Sequence, residues 1–185
     1  VTEEELLDVE EQLLRYRRYG DRRFYKGADY VNFVEALARA RVRSLFQSPL
    51  CPKENIFANV QPLSGAAANN AVYQALVEPG EVIMGMALAH GGHLTHGSEL
   101  NRSGKLYRSV PYGVSPETER LDYAAIRKLA LEHKPKLIVA GFTSYPWAPD
   151  WMTLREIADE VGAFLLADIA HPAGLVVAGL YPNPV

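Results

Sequence analysis

The chain opens on a helical pattern of apolar positions. Leu6, Leu7, Val9, Leu13 and Leu14 form an apolar stripe that needs a partner to cover it. Thr2 followed by Glu5 has the spacing of a capping box. Glu3, Glu4 and Glu5 come early, and Arg15, Arg17 and Arg18 late, the charge order that complements a helix dipole. Gly20-Asp21 is predicted to end this helix. A second helix is predicted from about Tyr30 to Phe46, with Val31, Val34, Leu37, Ala38, Val42 and Leu45 spaced three or four apart. Ser48 to Asn55, with two prolines and Cys51, reads as a surface loop.

From there the period alternates between strand and helix. Strands are predicted at Ile56 to Val60, Val82 to Ala87, Leu106 to Tyr112, Leu137 to Phe142 and Phe164 to Asp168. Helices are predicted at Ala66 to Val77 (stopped by Pro79-Gly80), Asp122 to His133 and Asp150 to Val161. Apolar strands alternating with helices give the fold class α/β, a three-layer sandwich with a mainly parallel central sheet. Ligands collect at the carboxyl ends of such strands. That rule directs attention to four places: after Val60, after Ala87, after Phe142, and at Asp168.

Composition narrows the class. The 185 residues are 48% hydrophobic, enough for a buried core, and the 19 basic against 22 acidic side chains give no strong pull toward nucleic acid or membrane. The single Cys51 excludes an internal disulfide framework and fits a reducing, cytoplasmic setting. Nothing near it in sequence acidifies the thiol for nucleophilic work. No stretch approaches the roughly 20 apolar residues of a membrane helix, and no signal-peptide pattern opens the chain. The Pro-punctuated end, Leu180 to Val185, follows directly on a strand and turn and reads as a domain cut short.

Three segments carry candidate chemistry. The small-residue turn Ser64-Gly65-Ala66 enters a helix, which suits either a phosphate on free amides or a plain N-cap. Asp168 ends an apolar strand, where a carboxylate needs a partner: a protonated pyridine nitrogen, a structural salt bridge or a metal. His171, three residues on, is near enough to share that site. His90, His93 and His96 recur at a spacing of three, but Gly91-Gly92 undermines a regular helix and no Cys or Glu joins them. A flexible loop laying one imidazole on a planar ring is the functional alternative to surface histidines. Tyr25 and Tyr30 flank a glycine turn and suit core or interface. Trp147 and Trp151, around Pro146 and Pro149, suit a substrate wall or a domain contact.

Taken together, the segments resemble the serine hydroxymethyltransferase family of fold-type I pyridoxal-phosphate enzymes. The likeness runs through Asn59 to Gly65, Leu88 to Gly97 (LAHGGHLTHG), Ser103 to Tyr107, Val110 to Gly113, Pro135 to Ile138, Arg155 to Asp159, Asp168 to His171, Ala173 to Val176 and Gly179 to Pro182. It covers about Arg22 to the end. The resemblance implies a helical, subunit-contacting segment over 1–46 and the front part of a cofactor-binding large domain over 47–185. It implies serine–glycine interconversion with tetrahydrofolate, on a homodimer or homotetramer with shared active sites.

By the same resemblance, Ser64, Gly65 and Ala66 would hold the cofactor phosphate, His93 would stack on its ring and Asp168 would pair with the ring nitrogen. Thr143 and His171 would lie near the ring's phenolic oxygen. Leu88, Gly92, His93 and Leu94 match folate-contacting positions. Tyr25 matches a tyrosine near the substrate carboxylate, and Tyr16 one beside it; His93, Asp168, His171 and Tyr25 form the implied catalytic set, and no metal is implied.

Two departures stand out. The family's Tyr-Ala-Glu-Gly-Tyr-Pro-Gly segment corresponds here to Tyr16-Arg17-Arg18-Tyr19-Gly20-Asp21, shorter and without the proton-handling glutamate. The family's cofactor-bearing lysine follows a Thr-His pair further along, and none of Lys26, Lys53, Lys105, Lys128, Lys134 or Lys136 has that context. The missing glutamate raises an aldolase on 3-hydroxy amino acids as the alternative enzyme. The abrupt end raises a cofactor-domain fragment that works only with a second polypeptide.

Overall fold

In the computed structural model, residues 2–18 and 27–185 are described. They form two compact units, one spanning Val1–Pro62 with Val185 and one spanning Leu63–Pro184.

The first unit is helical. Helix α1 covers Glu3–Arg18 and α2 covers Asp29–Phe46. The capping box is present: the Thr2 amide donates to Glu5 Oε2 at 2.9 Å, and the Glu5 amide to Thr2 Oγ1 at 3.2 Å. The apolar stripes are only partly covered within this unit. Leu6, Leu7 and Leu14 are exposed on α1, as are Val31, Val34 and Leu45 on α2. The buried positions are Asp8 and Val9 on α1, and Ala36, Ala40 and Arg43 on α2. Arg43 Nη1 approaches Asp8 Oδ1 at 3.4 Å while its Nε donates to the Lys53 carbonyl at 2.8 Å, so a polar pair occupies part of the buried face. Residues 56–60 are not a strand, contrary to the pattern; they keep an alternating exposure but join no ladder. Alternation specifies two faces, and pairing still needs a neighbour with free backbone groups.

The second unit is an α/β sandwich. Its helices are α3 (Gly65–Leu76), α4 (Arg102–Leu106), α5 (Tyr123–His133), α6 (Trp151–Val161) and α7 (Ala173–Val177). Strands β1 (Val82–Met86), β2 (Arg108–Tyr112), β3 (Leu137–Gly141) and β4 (Phe164–Asp168) make one wholly parallel sheet in the order β2-β1-β3-β4. Alternate residues of the central strands sort the layers. Ile83, Leu137 and Val139 pack with Tyr73 and Val77 of the α3 segment on one face. Met84, Met86 and Ile138 pack with Ile126 and Ala130 of α5 and with Ile157 and Ala158 of α6 on the other. A strand buried on both faces reads as a continuous apolar run, which is why β1 and β3 are legible in the sequence.

Asp122 and Asp150 cap α5 and α6, each accepting from the amide three residues on. Leu106, predicted as strand, instead closes α4. That short turn starts where the Asn101 side chain caps it by accepting from the Ser103 amide. The order of strands brings the carboxyl ends of β1, β3 and β4 side by side. The site lies there.

Candidate active site

Each wall of the site comes from a strand end or a helix start. The loop after β1 carries His93, Thr95 and His96, and the end of β3 leads into Phe142 and Thr143. Asp168 is the last residue of β4, and Ser64, Gly65 and Ala66 open α3. With Asn69, Ala170 and His171 they line a cavity of about 300 Å³, at the lower end of the range for small-molecule sites.

Two glycines allow the walls to meet. A Cβ at Gly92 would collide with the Met86 carbonyl, so only glycine lets the histidine loop fold back over the end of β1. A Cβ at Gly141 would strike the Asp168 carbonyl and Cβ, so a glycine at the end of β3 lets the Asp168 backbone pack close beside it. The Thr143 amide donates to the Gly91 carbonyl at 2.8 Å and stitches the β3 and β1 loops together.

Asp168 is the centre of a hydrogen-bond network. His96 Nε2 and Asn69 Nδ2 both donate to its Oδ2 at 2.9 Å, and the Ala170 amide donates to Oδ1 at 3.1 Å. Burial alone would raise this carboxyl. The His96 and Asn69 hydrogen bonds, with that of the Ala170 amide, outweigh it and hold Asp168 well below the usual carboxylate range. A charged, acceptor-only group therefore sits at the floor of the cavity, its side chain 15% exposed.

The network continues outward. Asn69 Nδ2 also donates to Thr95 Oγ1 at 2.9 Å, and Thr95 Oγ1 lies 2.8 Å from His93 Nδ1. Tyr73 Oη donates to the Thr95 carbonyl at 2.7 Å, anchoring the loop from beneath. Burial, with the charge of Asp168 nearby, pushes the Tyr73 phenol above its ordinary value and keeps it a donor.

The residues singled out in the sequence separate into groups. Ser64, Gly65, Ala66, His93, Thr143, Asp168 and His171 share the cavity. Leu88 and Leu94 stand half-exposed on the loop around it, and Gly92 is buried in the fold-back. Tyr25 lies outside the described residues, as do Tyr19, Gly20 and Asp21; the side chains of Tyr16, Arg17 and Arg18 lie outside them too. His90 does not line the cavity; its Nδ1 accepts from the Val114 amide at 3.1 Å and braces the segment after β2. Among the described residues no three His, Cys, Asp or Glu side chains converge as a metal site. Trp147 stacks under Arg120, 4.1 Å from ring centroid to guanidinium carbon, and Trp151 Nε1 donates to the Pro182 carbonyl at 3.0 Å. Both indoles thus serve contacts within this unit.

Asn69, Thr95, His96 and Phe142 belong to the site without having been singled out for it. A signal existed for two of them. Asn69 is the first of two adjacent asparagines in an alanine-rich helix start, four positions after Gly65 and so on the same helical face. His96 repeats the spacing of His93, but only the strand order shows that it points at Asp168.

The model of the family described as serine hydroxymethyltransferase matches residues 5–185. The chain belongs to the serine hydroxymethyltransferase family. Relatives bearing that name include those of Psychromonas ingrahamii (58% identical), Legionella pneumophila strain Corby (56%) and Methylococcus capsulatus (53%). Each match runs over 167 residues, 90% of this chain and 38% of the relative. The chain thus spans about two fifths of the length of the curated relatives it matches. The four-stranded parallel sheet with helices on both faces is consistent with the fold-type I pyridoxal-phosphate domain of this family. No described helix is long and apolar enough to cross a membrane.

Proposed function

We propose that the protein interconverts serine and glycine with tetrahydrofolate, using pyridoxal phosphate held in the Asp168 cavity. The observation that carries the reading is the ionised, triply hydrogen-bonded Asp168 in a small cavity that the start of α3 also lines. The donor set fits that cofactor at both ends. The Gly65 and Ala66 amides have no acceptor among the described residues, so they and the helix dipole favour a phosphate. Ser64 caps the helix by accepting from the Ala67 amide, which leaves its hydroxyl proton to donate. The absence of a hydroxyl at Ala66 costs little, because its backbone amide remains.

When bound, pyridoxal phosphate supplies an electron sink for the carbon adjoining the substrate nitrogen. This chain's residues prepare for it. Asp168 would accept a hydrogen bond from the protonated ring nitrogen and keep that proton in place. His93 would cover the ring face and exclude water. Thr143 and His171 line the side on which a phenolic oxygen would be hydrogen-bonded. By the resemblance, Leu88, Gly92, His93 and Leu94 would contact the folate, and Tyr16 and Tyr25 would serve the substrate, Tyr25 in a neighbouring subunit's site. The reading includes a cytoplasmic homodimer or homotetramer, a helical subunit-contact segment over 1–46, and a cofactor domain beginning at 47.

Cleavage of serine by the full-length protein, measured with and without tetrahydrofolate, tests the reaction. Formation of glycine that requires the folate is expected. The Arg17-Arg18 pair, standing where the family has a glutamate, favours one alternative, a folate-independent aldolase on 3-hydroxy amino acids. Equal rates with and without folate on such substrates would establish that alternative instead.

A further inference from the structure

We propose that Asn69 and Thr95 are positioning residues that hold the His93 imidazole in one orientation and one tautomer, its proton on Nε2, and tie that setting to the charge on Asp168. The inference rests on the reading of His93 as the group lying against the cofactor ring.

An ionised carboxylate only accepts, so the Asn69 amide must turn its nitrogen toward Asp168 Oδ2, 2.9 Å away. The second N–H of that nitrogen reaches Thr95 Oγ1, also at 2.9 Å. The threonine hydroxyl is thereby an acceptor toward Asn69, and its own proton goes to His93 Nδ1 at 2.8 Å. The Thr95 amide reaches the same nitrogen at 3.2 Å. With two donors aimed at Nδ1, that atom accepts, and the proton of the neutral ring stands on Nε2.

Little in the relay can swing. Asn69 is 5% exposed and Thr95 2%. Tyr73 Oη fixes the Thr95 carbonyl, and His96 holds the same carboxylate oxygen from its other side. The titratable groups facing the relay are Asp168, His96, Tyr73 and His93 itself. One group that pairs with the ring edge and one that covers the ring face are thus oriented by a single amide.

The test uses the full-length protein labelled with nitrogen-15. Without cofactor, the His93 ring should show an unprotonated Nδ1 and a protonated Nε2. Thr95→Val removes the hydroxyl and keeps the shape. It should draw the two nitrogen resonances toward an exchange average and weaken pyridoxal-phosphate binding roughly tenfold, the effect of one hydrogen bond. Thr95→Ser should restore both. A wild-type ring protonated on Nδ1, or a Thr95→Val protein with unchanged resonances and affinity, would overturn the relay. A wild-type protein that binds no pyridoxal phosphate would overturn the site reading instead. The resonances, recorded without cofactor, judge the relay in either case, and the wild-type measurement needs no variant to fold.

Discussion

Asn69→Asp changes one atom, replacing Nδ2 by an oxygen in a buried position 2.9 Å from Asp168 Oδ2. Two donated hydrogen bonds disappear, and two carboxylates now face each other. At about 4 Å and an effective dielectric of about 20, their repulsion is about 4 kcal/mol, enough to force them to share a proton. The second ionisation of the pair is therefore raised in the folded protein. Stability is present while one proton is shared and is lost as pH rises through that raised value. The assay is the thermal midpoint of the cofactor-free, full-length protein, wild type against variant, at pH 5 and pH 8. The deficit should be small at pH 5 and grow to roughly 10 °C at pH 8, since each kcal/mol moves the midpoint by about 2–4 °C in a domain of this size. A deficit equal at both pH values would mean that Asp168 is not ionised in the wild-type fold.

Two other outcomes follow from the same geometry. Gly92→Ala sets a Cβ against the Met86 carbonyl and must push the histidine loop away from β1; unfolding should show a loss of about 1–3 kcal/mol, and cofactor affinity should fall with it. Asp168 titrates well below its ordinary range in the folded state, so its contribution is present above the unfolded-state value and is lost as pH falls through the folded one. The stability gap between wild type and Asp168→Asn should persist at pH 6 and close on strong acidification, as followed by thermal melting.

Much of the α/β unit is legible in the sequence, most clearly in β1 and β3, which are buried on both faces. β1, β3 and β4 are short apolar runs, and β4 delivers its one charge at the end where ligands collect. Asp122 and Asp150 mark their helix starts by the ordinary chemistry of capping. The relay is not legible, because the segments of Asn69, Thr95 and His96 do not show which side chains meet. They acquire meaning only when the order β2-β1-β3-β4 sets the β1 loop beside Asp168 and α3 beneath both. The same non-locality explains the one strand expectation that failed and one feature the sequence did not show. Ile56 to Val60 has the alternation of a strand without a partner. The apolar stripes of α1 and α2 do not reveal that Asp8 and Arg43 take the inward positions as a pair.

The central claim, that Asp168 pairs with the ring nitrogen of pyridoxal phosphate, is most directly tested by titrating the cofactor into full-length wild-type and Asp168→Asn proteins and following its visible absorbance. A charge-assisted hydrogen bond contributes about 1.5–3 kcal/mol, so the variant should bind roughly 10- to 150-fold more weakly. Equal affinity and an identical spectrum in the two proteins would contradict the assignment of Asp168 to that ring.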